Sequence, residues 1–290
     1  MPSQMATDAK ARSRSAPALP VVVIQPTGGA AWPRVREAWE NHELLLFLTL
    51  RDIKARYVQT MLGWFWTVFQ PLGLMLIFTF VFRRLGNVKA DGVAYPVFAL
   101  AGLAFWTYFQ RAVSEGSQSL VLNAPLLTKT ACPRLLMPLS AVAAPLVDLV
   151  AAFGLVLVFV FGYGISPTWR WLAFPLPIVV GVALAAGLAI FLSAVNVRYR
   201  DVRNALPFLV QVLLFLSPFA YSLSSVHGTA KLLVSVNPLV GIVEGIRWSL
   251  LGTPAPSAAA VAFSLGLTGA LLVLGLKYFS RFARDFADVA

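Results

Sequence analysis

The residues of this chain that could bind a ligand by charge are basic and stand in short segments between long apolar runs. Arg51, Lys54 and Arg56 lie close together just before the first such run. Guanidinium and ammonium groups attract phosphate, and bases beside a membrane also attract anionic lipid. The group therefore predicts an anion-attracting segment, with lipid anchoring as the alternative role.

Enzymatic chemistry has little support in the sequence. No G-x-x-x-x-G-K-[ST] loop for nucleotide phosphates is present, and His42 and His227 are far apart. No Cys, His or carboxylate cluster has metal-ligand spacing. An intramembrane glycosyltransferase or lipid phosphatase would need paired carboxylates or a His/Arg constellation. We therefore predict that the chain is not an enzyme and has no catalytic residue, metal or cofactor of its own.

The composition indicates a protein that has lipid as its solvent. Hydrophobic residues make up 59% of the 290 residues, whereas charged residues make up 12%. Soluble domains carry about 25% charged residues. The net charge of +11 is then explained by basic cytoplasmic loops that face anionic lipid, and nucleic acid is not an expected partner.

The apolar runs predict an all-α integral membrane fold with six transmembrane helices. A span needs about 20 apolar residues. The predicted spans are residues 63–82, 93–109, 139–163, 171–195, 205–222 and 258–276.

Residues 232–251 are apolar but contain Asn237, Pro238, Glu244 and Arg247. Six spans place about twice as many Lys and Arg residues near one side as near the other, which predicts cytoplasmic termini. A seventh span would move the basic C-terminal segment outside. We therefore expect 232–251 to form an outer re-entrant hairpin.

A different helix is predicted just before the first span, at residues 44–58. Leu46, Leu50, Ile53 and Tyr57 recur with helical spacing, and the charged residues fall elsewhere. This pattern is typical of an amphipathic helix in the cytoplasmic membrane interface; the alternative is a soluble helix packed on a partner. Residues 1–33, rich in Ala, Ser, Pro and Gly, are expected to be disordered, as a tail before a transmembrane domain at 34–284. Residues 285–290 form a short C-terminal tail.

Three further features lie in or beside the spans. Asp148 is the ionisable residue well inside a span; a polar partner on a neighbouring helix is favoured over a proton path. Arg83 and Arg84 at the outer end of span 1 snorkel to headgroups or bind phosphate at the exit. The aromatic residues form an interfacial belt or a lining on which sugar rings stack; they are Trp64, Trp66, Phe69, Phe105, Trp106, Tyr108 and Phe109.

Two short cytoplasmic loops are candidates for docking an energy-supplying partner. Residues 123–133 begin with Asn123 and Pro125 and end at a proline, which predicts a short helix capped by Asn123. The other loop is residues 198–203. The candidate docking residues are Asn123, Leu126, Leu127, Lys129, Arg134, Arg198, Arg200 and Arg203.

Several motifs resemble those of ABC-2 type permeases, and nearest of all the subfamily that exports lipid-linked polysaccharides such as O-antigen, teichoic acids and capsule. The similarity runs from about residue 34 to 284. The motifs are residues 51–57 (RDIKARY), 62–66 (LGWFW), 70–72 (QPL), Asn123, 133–134 (PR), 138–139 (PL), 196–202 (NVRYRDV) and 237–238 (NP).

The resemblance implies a homodimer in the bacterial inner membrane, bound to two ATPase subunits that hold the ATP and Mg²⁺. It implies a glycan substrate carried on undecaprenyl diphosphate, as in lipopolysaccharide biosynthesis. Arg51, Lys54 and Arg56 would then attract the diphosphate to the cytoplasmic entrance. Residues 44–57 would be the interface helix, 123–133 the coupling helix, and 232–251 the outer re-entrant segment.

Two alternatives remain open at this stage. The first is an ABC-2 permease for a drug or another lipid, which gene neighbourhood would distinguish. The second is an ion-coupled secondary transporter. Such a protein would show matched broken helices in two inverted halves, and the sequence shows no such pair.

Overall fold

The structure of the chain is a computed structural model. It describes residues 32–58, 65–85, 90–130, 132–199, 201–219, 221–223, 228 and 234–282, without the side chains of 32–34 and 83–85. The predicted tail at residues 1–31 therefore lies outside the described residues, as do residues 283–290.

All regular secondary structure in these ranges is helical. The helices are α1 (Trp32–Glu40), α2 (His42–Tyr57), α3 (Phe65–Phe78), α4 (Tyr95–Leu122), α5 (Ala124–Lys129), α6 (Leu136–Ala143), α7 (Leu146–Gly162), α8 (Pro175–Arg198), α9 (Asp201–Leu216), α10 (Pro238–Leu251) and α11 (Ala258–Phe282). A π-helical segment, Thr79–Leu85, follows α3, and a 3-10 segment, Trp169–Ala173, precedes α8.

Four helical stretches of the described chain are long and apolar enough to cross a bilayer. They are Phe65–Phe82, Leu136–Gly162, Trp169–Arg198 and Ala258–Phe282. These stretches confirm an all-helical membrane architecture and match the predicted spans at 63–82, 139–163, 171–195 and 258–276. The predicted spans at 93–109 and 205–222 correspond to α4 and α9, which do not meet the same criterion. The count of six and the hairpin at 232–251, where the structure describes the helix α10, stay predictions.

Helix α4 is the centre of the fold and is longer than expected. It continues beyond the predicted span, which ends at residue 109, to Leu122. The polar residues of this C-terminal part of α4 find partners within the protein. Ser117 and Ser119 donate to carbonyl oxygens one turn back at 2.8 and 2.7 Å, and Arg111 donates to a carboxylate of another helix.

Small residues allow α4, α8 and α11 to approach closely. A Cβ atom on Gly116 of α4 would lie 2.4 Å from the Cβ atom of Ala189 in α8. A Cβ atom on Gly275 of α11 would lie 2.8 Å from the carbonyl oxygen of Gly187 in α8. Such contacts suit helices in lipid, where van der Waals packing replaces a hydrophobic driving force.

The apolar stretch Leu136–Gly162 is interrupted between α6 and α7. Helix α6 ends at Ala143 and α7 begins at Leu146. Pro145 has no N–H to donate to the preceding turn, and its ring disfavours a continuous helix there. Helix α6 packs against α2, α4 and α8, whereas α7 packs against α3 and α4. The two halves of this stretch therefore share α4 and otherwise pack against different helices.

Candidate functional site

A polar network lies where α2, α3, α4 and α7 meet, with the Asp148 carboxylate at its centre. Asp148 is in the first turn of α7, where the helix dipole favours a negative charge. Its Oδ2 accepts from Arg56 Nη1 at 2.7 Å and from Arg111 Nη1 at 2.6 Å. Its Oδ1 accepts from Thr67 Oγ1 at 3.0 Å and from the Tyr57 hydroxyl. Four donors from three helices thus converge on one carboxylate.

The charges of this network balance. Arg56 also donates through Nη2 to Glu115 at 2.5 Å, and Arg111 lies one helical turn before Glu115 on α4. The Asp148 side chain is only 9% exposed and that of Arg56 is 18% exposed. A buried charge is costly unless it is paired. Two guanidinium groups and two carboxylates meet that requirement together.

This outcome confirms the expected polar partner for Asp148, because its ligands come from α2, α3 and α4. The number of partners was not expected. Burial and the hydrogen bond to Asp148 raise the pKa of the Tyr57 phenol. Tyr57 therefore stays protonated and keeps donating to the carboxylate.

A second polar contact set lies one turn earlier on α2. Arg51 Nη2 donates to Asp52 Oδ1 at 2.7 Å and to Asn123 Oδ1 at 2.9 Å. The Ser140 hydroxyl of α6 is 3.2 Å from Asp52 Oδ2 and 3.0 Å from the carbonyl oxygen of Met137. The sequence predicted that the Asn123 side chain caps α5, but it makes no capping hydrogen bond there. Its amide nitrogen instead donates back to the Ser119 carbonyl at 2.8 Å, which leaves its oxygen for Arg51.

Helix α2 presents two different sides. Leu48 is buried on the same side as Asp52 and Arg56, whereas Leu46 and Leu50 are 61% and 47% exposed. Part of the predicted apolar stripe thus faces outward, as a lipid-contacting surface would. Tyr57, the last member of that stripe, points its hydroxyl inward to Asp148.

Of the three basic residues predicted at an anion entrance, Lys54 is the one that forms no ion pair within the described residues. Lys54 is exposed, whereas Arg51 and Arg56 are held by carboxylates. The headgroup role of all three residues stays a prediction.

The predicted aromatic set divides into two parts. Trp66 and Phe69 are about half exposed on α3, with ring centroids 5.5 Å apart, and Trp64 lies outside the described residues. Four others on α4 are 0–1% exposed in the packed interior, which fits neither a belt nor a lining; they are Phe105, Trp106, Tyr108 and Phe109. Their burial has a simple cause, since α4 is surrounded by other helices.

The predicted docking residues occupy different environments. Leu126 and Leu127 are half-buried against a cluster that includes Leu48 and Leu120, so part of their surface is used within the chain. Lys129, Arg198 and Arg203 are exposed, and Arg198 lies over the ring of Phe282 at 5.2 Å. Arg134 is half-buried, and Arg200 lies outside the described residues. The side chains of Arg83 and Arg84, the exit-side candidates, lie outside them too.

Sequence reasoning missed Arg247 as an organising residue. Its side chain on α10 is buried and donates to the carbonyl oxygens of Pro218 and Phe219 at 2.6 Å each. It also donates to the Phe98 carbonyl at 3.1 Å and lies 3.6 Å from the Phe98 ring centroid. Gly102 makes room, since a Cβ atom there would be 2.9 Å from Arg247 Nη2. The sequence signal was an arginine inside an apolar segment.

The described residues contain no group of three or more His, Cys, Asp or Glu that could hold a metal ion. The arrangement around Asp148 links helices by charge and by hydrogen bonds.

Comparison with known proteins gives a consistent result. The chain is 28% identical over 249 residues to an O-antigen export system permease protein, RfbA, of Klebsiella pneumoniae, which covers 85% of this chain and 95% of the relative. It is 28% identical over 256 residues to the RfbA protein of Myxococcus xanthus, covering 88% and 98%. The polysialic acid transport protein KpsM of Escherichia coli is 22% identical over 237 residues, covering 80% and 90%.

A family model described as "ABC-2 type transporter" matches residues 43–251. The match begins at the N-terminal end of α2 and ends with α10, so it includes every residue of the Asp148 network. It covers well over half of the sequence, and the chain therefore belongs to the ABC-2 type transporter family.

Proposed function

We propose that this chain is the permease subunit of an ATP-driven exporter that moves lipid-linked polysaccharide across the bacterial inner membrane. The observation that carries the proposal is its similarity to permeases named for O-antigen and polysialic acid export over 90–98% of their lengths. The chain transports without covalent chemistry. A separate subunit hydrolyses ATP with Mg²⁺.

The proposed assembly is a homodimer that binds two ATPase subunits. Each permease has six spans, with α4 and α9 completing the four long apolar stretches, and α10 as the outer re-entrant segment. Both termini lie in the cytoplasm. The central position of α4 supports its role as a span, because a helix enclosed by apolar helices has no route to water along most of its length.

The proposed substrate is a glycan carried on undecaprenyl diphosphate. Lys54 is the first of the three entrance residues to test, because it is exposed while Arg51 and Arg56 are in ion pairs. An ammonium group at the membrane surface attracts a diphosphate. The exposed Trp66 and Phe69 on α3 offer flat apolar surface beside the same entrance. The docking surface for the ATPase is α5 with Lys129, together with residues 198–203.

Deletion of the gene in its native bacterium tests the proposal. Surface polysaccharide should disappear, and undecaprenyl-diphosphate-linked glycan should accumulate inside the cell, as measured by polymer gels and by mass spectrometry of extracted lipid. Deletion of the partner ATPase gene should give the same two results. Unchanged surface polysaccharide in the permease deletion would refute the glycan substrate.

Purified protein tests the energy source. The chain alone should hydrolyse no ATP, and the complex purified through a tag on this chain should. Loss of export on collapse of the ion gradient, with ATP held constant, would favour a secondary transporter. Export of a drug or a free lipid by the same ATPase complex would favour the other ABC-2 alternative.

For the entrance, Lys54→Glu should lower export about tenfold or more and Lys54→Arg should restore it. Lys277→Glu, at an exposed lysine near the end of α11, is the matched control and should leave export unchanged. Equal effects of the two charge reversals would remove Lys54 from the entrance.

A further inference from the structure

Within seven residues, α2 makes polar contacts with three successive parts of the chain. Arg51 bonds Asn123, at the junction of α4 and α5. Asp52 meets Ser140 of α6. Arg56 and Tyr57 bond Asp148 of α7. The order of contacts along α2 follows the order of the contacted residues along the chain: α2 packs against α6 and reaches α5 and α7 on either side through side-chain bonds.

These contacts fall on both sides of the helix break at Pro145. Ser140 precedes the break and Asp148 follows it. Asp52 of α2 contacts Ser140, and Arg56 and Tyr57, one turn later on α2, bind Asp148. The break lacks a continuous backbone hydrogen-bond ladder to fix the angle between α6 and α7. The α2 side chains supply links across it that the backbone does not.

The same contacts connect the break to the cytoplasmic helix α5. Leu126 and Leu127 of α5 pack against the same apolar cluster that contains Leu48 of α2 and Leu136 of α6. The Arg51–Asn123 bond fixes the start of α5. A force on α5 therefore reaches α2 through the Arg51–Asn123 hydrogen bond and this shared cluster, and α2 in turn binds Asp148 of α7.

We propose that α2 acts as a splint across the α6–α7 break, and that Asp148 is the positioning residue through which a movement of α5 sets the angle of α7. The inference rests on the proposed function only for the source of that movement, a partner that pushes on α5. The Asp148 side chain is 9% exposed. It acts by holding Arg56 and Tyr57 of α2, while Arg111 and Thr67 tie the same carboxylate to α4 and α3.

A merely structural ion pair would give a different result on mutation. Loss of a structural pair lowers the amount and the melting temperature of the complex, and ATP hydrolysis and export fall together. Loss of the α2 link across the break should instead lower export while ATP hydrolysis continues, because α7 no longer follows the movement of α5.

The experiment uses the complex of the full chain with its ATPase, in cells and after purification. Asp148→Asn removes the charge and keeps an oxygen for Tyr57 or Thr67, and Asp148→Glu is the conservative variant. Glu40→Gln is the matched control, since it breaks the Arg36–Glu40 ion pair, whose side chains are 75% and 58% exposed. The measurements are the yield of complex, its ATPase rate and surface polysaccharide.

We expect Asp148→Asn to assemble with an ATPase rate within about twofold of wild type and export lowered at least tenfold. Asp148→Glu should recover a measurable part of export, and Glu40→Gln should match wild type. Spin labels on the exposed residues Leu46 and Val158, in a Cys132→Ser chain, should report a distance change on ATP binding that Asp148→Asn abolishes.

Wild-type export by Asp148→Asn, or an ATPase rate and export that fall in proportion, would overturn the inference. Where Asp148→Asn does not assemble, the neutral pair Asn123→Ala and Ser140→Ala decides. A lowered export per ATP hydrolysed supports the splint, and an unchanged ratio overturns it. A wild-type complex without ATPase activity or export would instead refute the proposed function.

Discussion

Arg56 and Arg111 bind the same oxygen atom, Oδ2 of Asp148, at 2.7 and 2.6 Å. Arg56 lies in the last turn of α2 and Arg111 in the second half of α4, so a single carboxylate joins α2 to the central helix. A guanidinium group has five N–H donors in a fixed plane, which allows each arginine a second partner. Those partners are Glu115 for Arg56 and Gln70 for Arg111.

Arg247 should be a strong determinant of stability. Arg247→Leu leaves the carbonyl oxygens of Pro218 and Phe219 buried without their donors, at an expected cost of about 3–5 kcal/mol. Arg247→Lys should recover only part of this free energy of unfolding, because one ammonium group cannot reach all the carbonyl oxygens that the guanidinium group binds. Thermal unfolding of the detergent-purified chain, followed by light scattering or intrinsic fluorescence, should show a loss of about 10 °C for Arg247→Leu.

The matched control is Arg170→Leu. Arg170 donates to one carbonyl, that of Gly252, at 3.2 Å from a half-exposed position, so its loss should cost about 1 kcal/mol or less. Similar melting temperatures for the two leucine variants would contradict the role assigned to Arg247.

The proposed topology places residues 253–257 on the outer side. Ala255 is exposed, whereas Ser257 caps α11 through a bond from the Ala260 N–H at 3.2 Å, so cysteine belongs at 255. Ala255→Cys in a Cys132→Ser chain should react with a membrane-impermeant maleimide in intact cells whose outer membrane admits it. Thr130→Cys, exposed beside α5, should react only after lysis of the inner membrane. The reverse pattern would reject the orientation.

Helix α5 should bind the ATPase through its exposed side. Thr128→Asp with Lys129→Glu alters that side and spares Leu126 and Leu127, which pack inside the chain. A charge reversal in an interface should weaken co-purification of the ATPase about tenfold or more. Arg36→Glu, exposed on α1, is the control for a charge reversal elsewhere. If the α5 variant co-purifies normally and exports, the 198–203 loop becomes the docking candidate.

Labelling of the Cys132 thiol should require a higher pH than labelling of an exposed cysteine. Burial raises the pKa of the Cys132 thiol, and the nearby charge of Arg51 opposes part of that effect. At neutral pH less of the reactive thiolate is present, so maleimide labelling in opened membranes should be slower than at Thr130→Cys and should rise at higher pH. Arg51→Gln should slow it further. Equal rates for Cys132 and the exposed control at neutral pH would contradict the burial of the thiol.

The apolar stretches were predictable because bilayer thickness imposes a length that a sequence shows directly. The length of α4 beyond residue 109 was not, because the residues that follow the predicted span include the charged Arg111 and Glu115. Their partners, Asp148 and Arg56, come from distant positions in the chain, and hydropathy carries no information about them. For the same reason, the sequence did not predict that the aromatic side chains of α4 are buried, since their burial depends on the helices packed around α4. These residues are Phe105, Trp106, Tyr108 and Phe109.

Individual residues show the same limit in the candidate site. The need of Asp148 for a partner followed from the cost of a charge inside a span, but the identity of the partner did not. Asn123 had the residue type of a helix cap, yet its oxygen accepts from Arg51. Arg247 was visible as a charge in an apolar segment, whereas its acceptors are backbone carbonyls that have no sequence signature.

The contact between Gly187 and Gly275 limits where the protein can change shape. With a Cβ clearance of 2.8 Å to a carbonyl oxygen, the backbones of α8 and α11 meet with no side chain between them. Widening this seam would open a void between two backbones, because no flexible side chain stands there to follow the motion. A route for a bulky polymer must therefore form away from the α8–α11 seam, along helices whose neighbours are less closely packed.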